Sequence, residues 1–196
     1  MQYKKEEVNN RIISAATNAF QKYGYRQTSM MQVSLDSKVP IGNLYRYFPS
    51  KEVLFEEVVG KACSRCFELI NEIYEVSVDK LKNSSEKFIA STGDIADMLI
   101  EYINEYSVQM FILLRSAQGS KYESFREDVI SRVSELIREG FFGVQAMHEP
   151  LMSEIMTKSL MEGFISIATL VPKEQQKKQM EKLMNFFFYK IEERMS

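Results

Sequence analysis

Histidine is almost missing from this chain: its 196 residues contain one, His148, alongside two cysteines, four prolines and eight glycines. No Ser/His/Asp constellation for nucleophilic catalysis stands out around it. Cys63 and Cys66 stand as C-S-R-C. A structural zinc site would need two more ligands, and His148 lies far along the chain. At i, i+3 on a helix the two thiols are neighbours. They read either as reduced cysteines of a cytosolic helix or as a thiol pair open to oxidation. No glycine-rich loop is present to cradle a phosphate. An enzyme is therefore not expected, and no cofactor or metal site is called for. No apolar run approaches the length of a membrane span, and the start of the chain lacks an apolar signal segment, so a cytoplasmic location is expected. Alternating, strand-like segments and internal repeats are also lacking, which leaves an all-α fold.

What the chain does have is concentrated between Ser29 and Lys51: S-M-M-Q-V-S-L-D-S-K-V-P-I-G-N-L-Y-R-Y-F-P-S-K. Two short helical patterns flank a tight turn, each too short to stand alone, since isolated helices under about 12 residues are marginal in water. Ser29 and Gln32 form an S-x-x-Q capping box that predicts a helix from Met30, with Val33 and Ser37 inward. Pro40, with its fixed φ and no amide proton, suits a first helical position. A second helix then runs from Ile41 to Phe48, with Leu44 and Phe48 at i, i+4 on its buried face. Pro49 ends it, and Ser50 caps the next helix from Lys51. The pattern fits a helix-turn-helix whose second helix enters a DNA major groove. On spacing alone, an αα-hairpin inside an ordinary bundle fits as well.

Charge separates the two ends of the chain. Residues 1–51 hold eight basic and three acidic side chains, a net +5. The whole chain carries −2, so the remainder carries −7. A basic head on an acidic body suits a nucleic-acid reader with a second domain that does not bind DNA.

Residues 8 to 55 resemble the N-terminal domain of the TetR family of transcriptional repressors. The resemblance is carried by Ile12–Tyr23 with A-x-x-x-F at Ala16–Phe20, by Gly24-Tyr25, by Thr28-Ser29, and most strongly by G-N-L-Y-R-Y-F-P-S-K-E from Gly42 to Glu52. One position departs: the turn residue that is usually glycine is Lys38. A non-glycine with φ > 0 costs about 1 kcal/mol, so an altered turn is expected there, not a lost one.

The resemblance implies a three-helix DNA-binding domain over 1–52 and a helical-bundle domain for ligand binding and dimerisation over 53–196. It implies a homodimeric repressor on a palindromic operator, released by a small-molecule inducer. Tyr45, Tyr47 and Lys51 become phosphate-contacting residues, joined by Ser29 or Thr28 at the start of the motif. Base reading falls to Ile41, Gly42 and Asn43, with Met31 or Gln32 from the preceding helix. Ile41 suits a thymine methyl and Asn43 an adenine. With no Arg or Lys at 41–43 to read guanine, an A·T-leaning operator is expected. The body holds fifteen aromatics between Phe67 and Tyr189. Tyr102, Tyr106, Met110, Phe111 and Phe125 lie where family members commonly form a ligand cavity, although ordinary core packing explains each of them too. Glu101, Glu105 and Glu162 leave room for a cationic inducer, beside an apolar one. A ligand-independent DNA-binding or protein-interaction module is the alternative.

Along the chain, a first helix is expected over Glu7–Tyr23, with Ile12, Ala16, Ala19, Phe20 and Tyr23 on its buried stripe and Gly24 ending it. A fourth helix is expected from Lys51 to about Tyr74, led by Leu54, Phe55, Val58 and Val59. Lys80–Thr92 reads as a loop with a short helix. Five further helices are expected: Gly93–Tyr106, Ser107–Ala117, Lys121–Phe142, Glu149–Leu170 and Lys173–Met195. The last two carry the expected dimer interface, where Gly163 and Ala168 permit close helix approach.

Overall fold

The computed structural model describes residues 2–81, 87–138 and 150–188, and over these the chain forms eight helices and no strand. They are α1 (Gln2–Gln27), α2 (Met30–Ser37), α3 (Ile41–Tyr47), α4 (Lys51–Leu81), α5 (Lys87–Arg115), α6 (Phe125–Arg138), α7 (Pro150–Leu170) and α8 (Lys173–Phe188). The all-α expectation holds. Two compact units result: Met1–Ser64 with Val108–Arg126, and Arg65–Ser107 with Glu127–Ser196.

In the first unit, α1 buries Ile12, Ala15, Ala16, Ala19 and Phe20, whose spacings of three and four residues place them on one helical face. Gly24 breaks α1 with φ 76°, ψ 164°, a region open to glycine at little cost. A Cβ there would also sit 3.5 Å from the Ser116 carbonyl oxygen. The break redirects the chain after residue 24. Tyr23, expected on the buried stripe, is 43% exposed, and Tyr25 is buried in its place. Tyr25 packs edge-on to Phe55, centroids 4.8 Å apart, and Phe55 meets Phe20 at the same distance. Leu54, Phe55, Val58 and Val59 are all buried, as the apolar stripe of α4 predicts.

The Tyr25 N–H donates to Ser116 O at 2.8 Å, which ties residues 116–124 to the end of α1. This segment turns through i→i+3 bonds, Ser120 N–H to Ala117 O, Glu123 N–H to Ser120 O and Phe125 N–H to Tyr122 O. The helix expected from Lys121 therefore starts at Phe125.

In the second unit, α5 departs from helical geometry at Tyr106 (φ −124°, ψ 16°), which is where the sequence divides two helices. One core cluster joins Ile70, Ile95, Leu136, Ile137, Met184 and Phe188; another joins Ala96, Ile103, Ile167 and Met180. Gly163 has a clear packing role, since a Cβ there would come within 2.8 Å of Leu183 Cδ1. The close approach expected of Gly163 is thus made by α8 of the same chain. Gln176, buried on α8, donates its Nε2 to Val171 O at 3.0 Å and more weakly to Ile167 O and Ala168 O, closing the end of α7.

The expected loop over Lys80–Thr92 is helical at Lys80–Leu81 and again from Lys87. Ser91 and Thr92 cost only tenths of a kcal/mol each within a helix, too little to stop α5. Residues 82–86, the breaks expected near Gly143, His148 and the end of the last expected helix lie outside the described residues. Cys63 and Cys66 are half-buried, and neither is in a disulfide.

Candidate nucleic-acid interface

The interface is built on three short connections in the first unit. Ser29, in extended conformation, caps α2 by accepting the Gln32 N–H at 3.1 Å. The reciprocal half of the capping box does not form, because Gln32 Nε2 donates to Asp36 Oδ1 at 2.8 Å one turn on. Met30, Val33, Ser34 and Ser37 face inward, leaving Met31 and Leu35 exposed.

Next comes the corner. Lys38 has φ 55°, ψ 36°, the one non-glycine at positive φ among the described residues. That conformation costs a residue with a Cβ about 1–2 kcal/mol, so the neighbours must hold it. The Lys38 N–H donates to Leu35 O and the Val39 N–H to Ser34 O. Ser34 Oγ donates to Val39 O at 2.7 Å. From α1, Arg11 donates Nε and Nη2 to Ser37 O at 3.2 and 3.0 Å, and Nη2 again to Lys38 O at 3.0 Å. The turn keeps its left-handed shape with lysine in it.

α3 follows. Pro40 is the N-cap, one position earlier than expected, and its carbonyl accepts from the Asn43 and Leu44 N–H groups. A proline with ψ 138° is extended, so the helix begins after it. Leu44 and Phe48 are buried and anchor the helix. Gly42, Tyr45 and Arg46 form the exposed face, flanked by half-buried Ile41, Asn43 and Tyr47. A Cβ on Gly42 would meet nothing within 4 Å.

Ser50 caps α4 through the Val53 N–H. Lys51 turns inward: its Nζ donates to Tyr25 O at 2.9 Å and Thr28 O at 3.1 Å, and lies 4.3 Å from the Tyr25 ring centroid. Thr28 is buried, its hydroxyl donating to Gly24 O at 2.8 Å. Of the ten residues expected at DNA, the structure therefore sets Ser29, Met31, Gln32, Ile41, Gly42, Asn43, Tyr45 and Tyr47 along α2 and α3. It commits Thr28 and Lys51 to the end of α1. Beside that end, a polar cleft of about 520 Å³ includes Tyr25, Arg26, Lys51, Glu52 and Glu123 in its lining. Tyr25 Oη donates to Glu52 and the Gly119 N–H to Glu123, so both carboxylates are already bonded.

Arg46 and Arg11 stand outside the residues expected at DNA. Arg46 is exposed four residues after Gly42 and makes no ion pair among the described residues; the i, i+4 rule could have placed it on that face. Arg11 gave no local signal, since its partners lie 26 and 27 residues away.

The five residues expected at a ligand do not gather in one unit. Tyr102 and Tyr106 belong to the second, with ring centroids 5.4 Å apart. Burial and a hydrogen bond with Glu105 both raise the Tyr106 phenol, the hydrogen bond more. Met110, Phe111 and Phe125 belong to the first unit, Met110 and Phe125 fully buried.

This geometry defines a class: a helix-turn-helix with an exposed second helix, in a chain whose described residues form helices and no strand. Residues 12–58 match the family described as bacterial regulatory proteins, tetR family. Over these residues the chain carries a domain similar to the DNA-binding domain of that family. It is similar to the HTH-type transcriptional regulator HbdR of Aromatoleum sp. (strain CIB), 43% identical over 51 residues, which are 26% of this chain and 22% of that protein. The uncharacterized HTH-type transcriptional regulator YfiR of Bacillus subtilis (strain 168) is 25% identical over 139 residues, covering 69% of this chain and 66% of YfiR. The match thus spans about a fifth of HbdR and just under two thirds of YfiR. A TetR-family transcriptional regulator from Bordetella parapertussis 12822 shares the fold, with TM-score 0.61 at 14% identity over 93% of this chain and 94% of that one. Among the described residues, no helix is long and apolar enough to cross a membrane.

Proposed function

We propose that this regulator is a cytoplasmic homodimeric repressor, bound to a palindromic operator through α3 and released by a small-molecule inducer. The observation that carries the DNA reading is the two-sided α3: Leu44 and Phe48 lock it to the unit, while Gly42, Tyr45 and Arg46 point outward. Ile41, Gly42 and Asn43 read base edges, assisted by Met31 and Gln32. Tyr45, Tyr47, Ser29 and Arg46 hold phosphates, which set the register of a reader without specifying sequence. The net +5 of residues 1–51 supplies the attraction. DNA binding resides in 1–52 and regulation in 53–196.

Dimerisation is supported by a stripe on α7. Met152, Ile155, Ser159, Ser166 and Leu170 recur at helical spacing and are all exposed. The two serine hydroxyls bond back to their own helix, at Ile155 O and Glu162 O, and need no water. The inducer, apolar or cationic, binds near Tyr102 and Tyr106. It must favour the state that does not bind DNA, and by linkage DNA weakens the inducer equally.

The test is a footprint of the purified protein on DNA directly upstream of its own gene. A two-fold-symmetric protected site, with half-sites about 34–36 Å apart, is expected. Protection of one unrepeated half-site would overturn the dimer. An absence of protection both there and across a library of random duplexes would overturn the DNA reading.

A further inference from the structure

The Arg11 guanidinium lies on α1, outside the helix-turn-helix, yet spends three N–H···O bonds on two consecutive carbonyls of its corner, Ser37 O and Lys38 O. Those carbonyls flank the peptide that turns the chain from α2 to α3. The residue between them, Lys38, is held in a left-handed conformation that disfavours side chains. A planar fork with fixed N–H directions can grip two carbonyls at once; a lysine ammonium at the same place would be a single mobile donor point. The bonds made within the corner, from Ser34 Oγ and the Lys38 and Val39 N–H groups, close the end of α2. The Arg11 bonds are different in kind, because they fix the corner relative to α1. The start of α3, with Ile41, Gly42 and Asn43, follows within five residues of Lys38.

We infer that Arg11 is a positioning residue for operator recognition: it replaces, by clamping the corner from α1, the conformational ease that a glycine at position 38 would supply. The inference rests on the proposed DNA reading by α3. Arg11 itself does not need to touch DNA. Its loss lets the corner relax and α3 lose its aim, which weakens binding to the operator and leaves nonspecific attraction intact. Lys38→Gly removes the Cβ conflict, so in that background the clamp becomes dispensable. The two positions are therefore coupled, and a double-mutant cycle measures the coupling.

Operator and random-sequence duplexes would be titrated at several salt concentrations with full-length wild type, R11K, R11M, K38G and R11M/K38G. Both Arg11 variants are expected to bind operator about tenfold more weakly, the scale of a lost hydrogen bond to a charged group. Their random-sequence affinity and salt slope should stay unchanged, and R11M/K38G should recover to the level of K38G. Wild-type affinity in R11K, a salt slope lower by about one, or no recovery in the double variant would each overturn the inference. A second measurement needs no DNA: exchange of the Lys38 and Val39 amide protons should quicken in R11K, and exchange of the α1 amides should not. Unchanged exchange at residues 38 and 39 would overturn the clamp. A wild type that prefers no DNA sequence would instead overturn the reading on which the inference rests.

Discussion

Tyr25 Oη donates a 2.7 Å hydrogen bond to Glu52 Oε1, joining the end of α1 to the first turn of α4. The bond acts on both groups. It is the main reason the Glu52 carboxyl lies below its ordinary range, with the Glu52 backbone and Ser50 helping. The Tyr25 phenol is pushed up from 10.0 to about 12, by burial first and then by Glu52. An unfolded chain holds the Glu52 proton more tightly, so this contribution is complete above the ordinary carboxylate value and fades as pH falls through the lower folded value. The Tyr25 contribution is complete below 10.0 and fades as pH rises toward about 12. Urea midpoints against pH should be flat between these limits and fall at each end. In Tyr25→Phe both falls should be shallower; unchanged slopes would show that the bond does not persist in solution.

Lys51 tests whether a cation near the motif serves DNA or the fold. Its two bonds to Tyr25 O and Thr28 O predict that Lys51→Met costs about 1–3 kcal/mol of stability. Denaturant melts without DNA measure this. Full stability with a reduced salt slope of binding would mean that the ammonium leaves α1 for a phosphate.

On α3 the expectation is the reverse. Tyr45 is 48% exposed and Asn43 half-buried, so Tyr45→Ala and Asn43→Ala should leave the melting temperature nearly unchanged. Operator affinity should fall by roughly 1–3 kcal/mol for Asn43, the range for a base-edge contact. Arg46→Ala should lower the salt slope by about one. Fluorescence anisotropy across a salt series reads both effects.

Gln176 holds the end of α7 with an amide nitrogen whose bonds set its orientation. Reversing the amide would place Oε1 against three carbonyls. The correct orientation leaves Oε1 buried and unpartnered among the described residues. Gln176→Ala should destabilise the protein by about 1–3 kcal/mol, since it strips donors from the buried helix end. Gln176→Glu should lose more at neutral pH and recover as the carboxyl protonates. Equal stability of Gln176→Glu at pH 5 and pH 8 would contradict this account.

Ile155, 47% exposed at the middle of the α7 stripe, is the residue to charge. Ile155→Glu should turn a dimer into a folded monomer by sedimentation velocity, with little change in helical content. A dimer of wild-type strength would place the interface elsewhere.

The sequence made some elements legible because their information is local. The Ser29 cap, the Leu44–Phe48 anchor, the Leu54–Val59 stripe and the break at Tyr106 all follow from spacings of a few residues. Other features depend on partners distant in the chain. The fate of Lys51 is decided by carbonyls 23 and 26 residues earlier, and the burial of Tyr25 in place of Tyr23 by a backbone break that also requires Ser116. Gln32 leaves the capping box for a smaller reason, since Asp36 one turn on competes for its amide. Lys38 is instructive in another way: the departure from glycine was visible, but its remedy at Arg11 was not.

The Tyr25–Ser116 bond and the packing of Tyr122 on Phe55 make the first unit discontinuous along the chain. A fragment cut after residue 64 would carry the whole helix-turn-helix and still lack a wall of its own core. Synthesis has the same order. On the ribosome α1 to α3 emerge before residues 108–126, so the unit that holds them is finished only once residue 126 has been made. The helix-turn-helix thus precedes, along the chain, part of the core that completes its own unit.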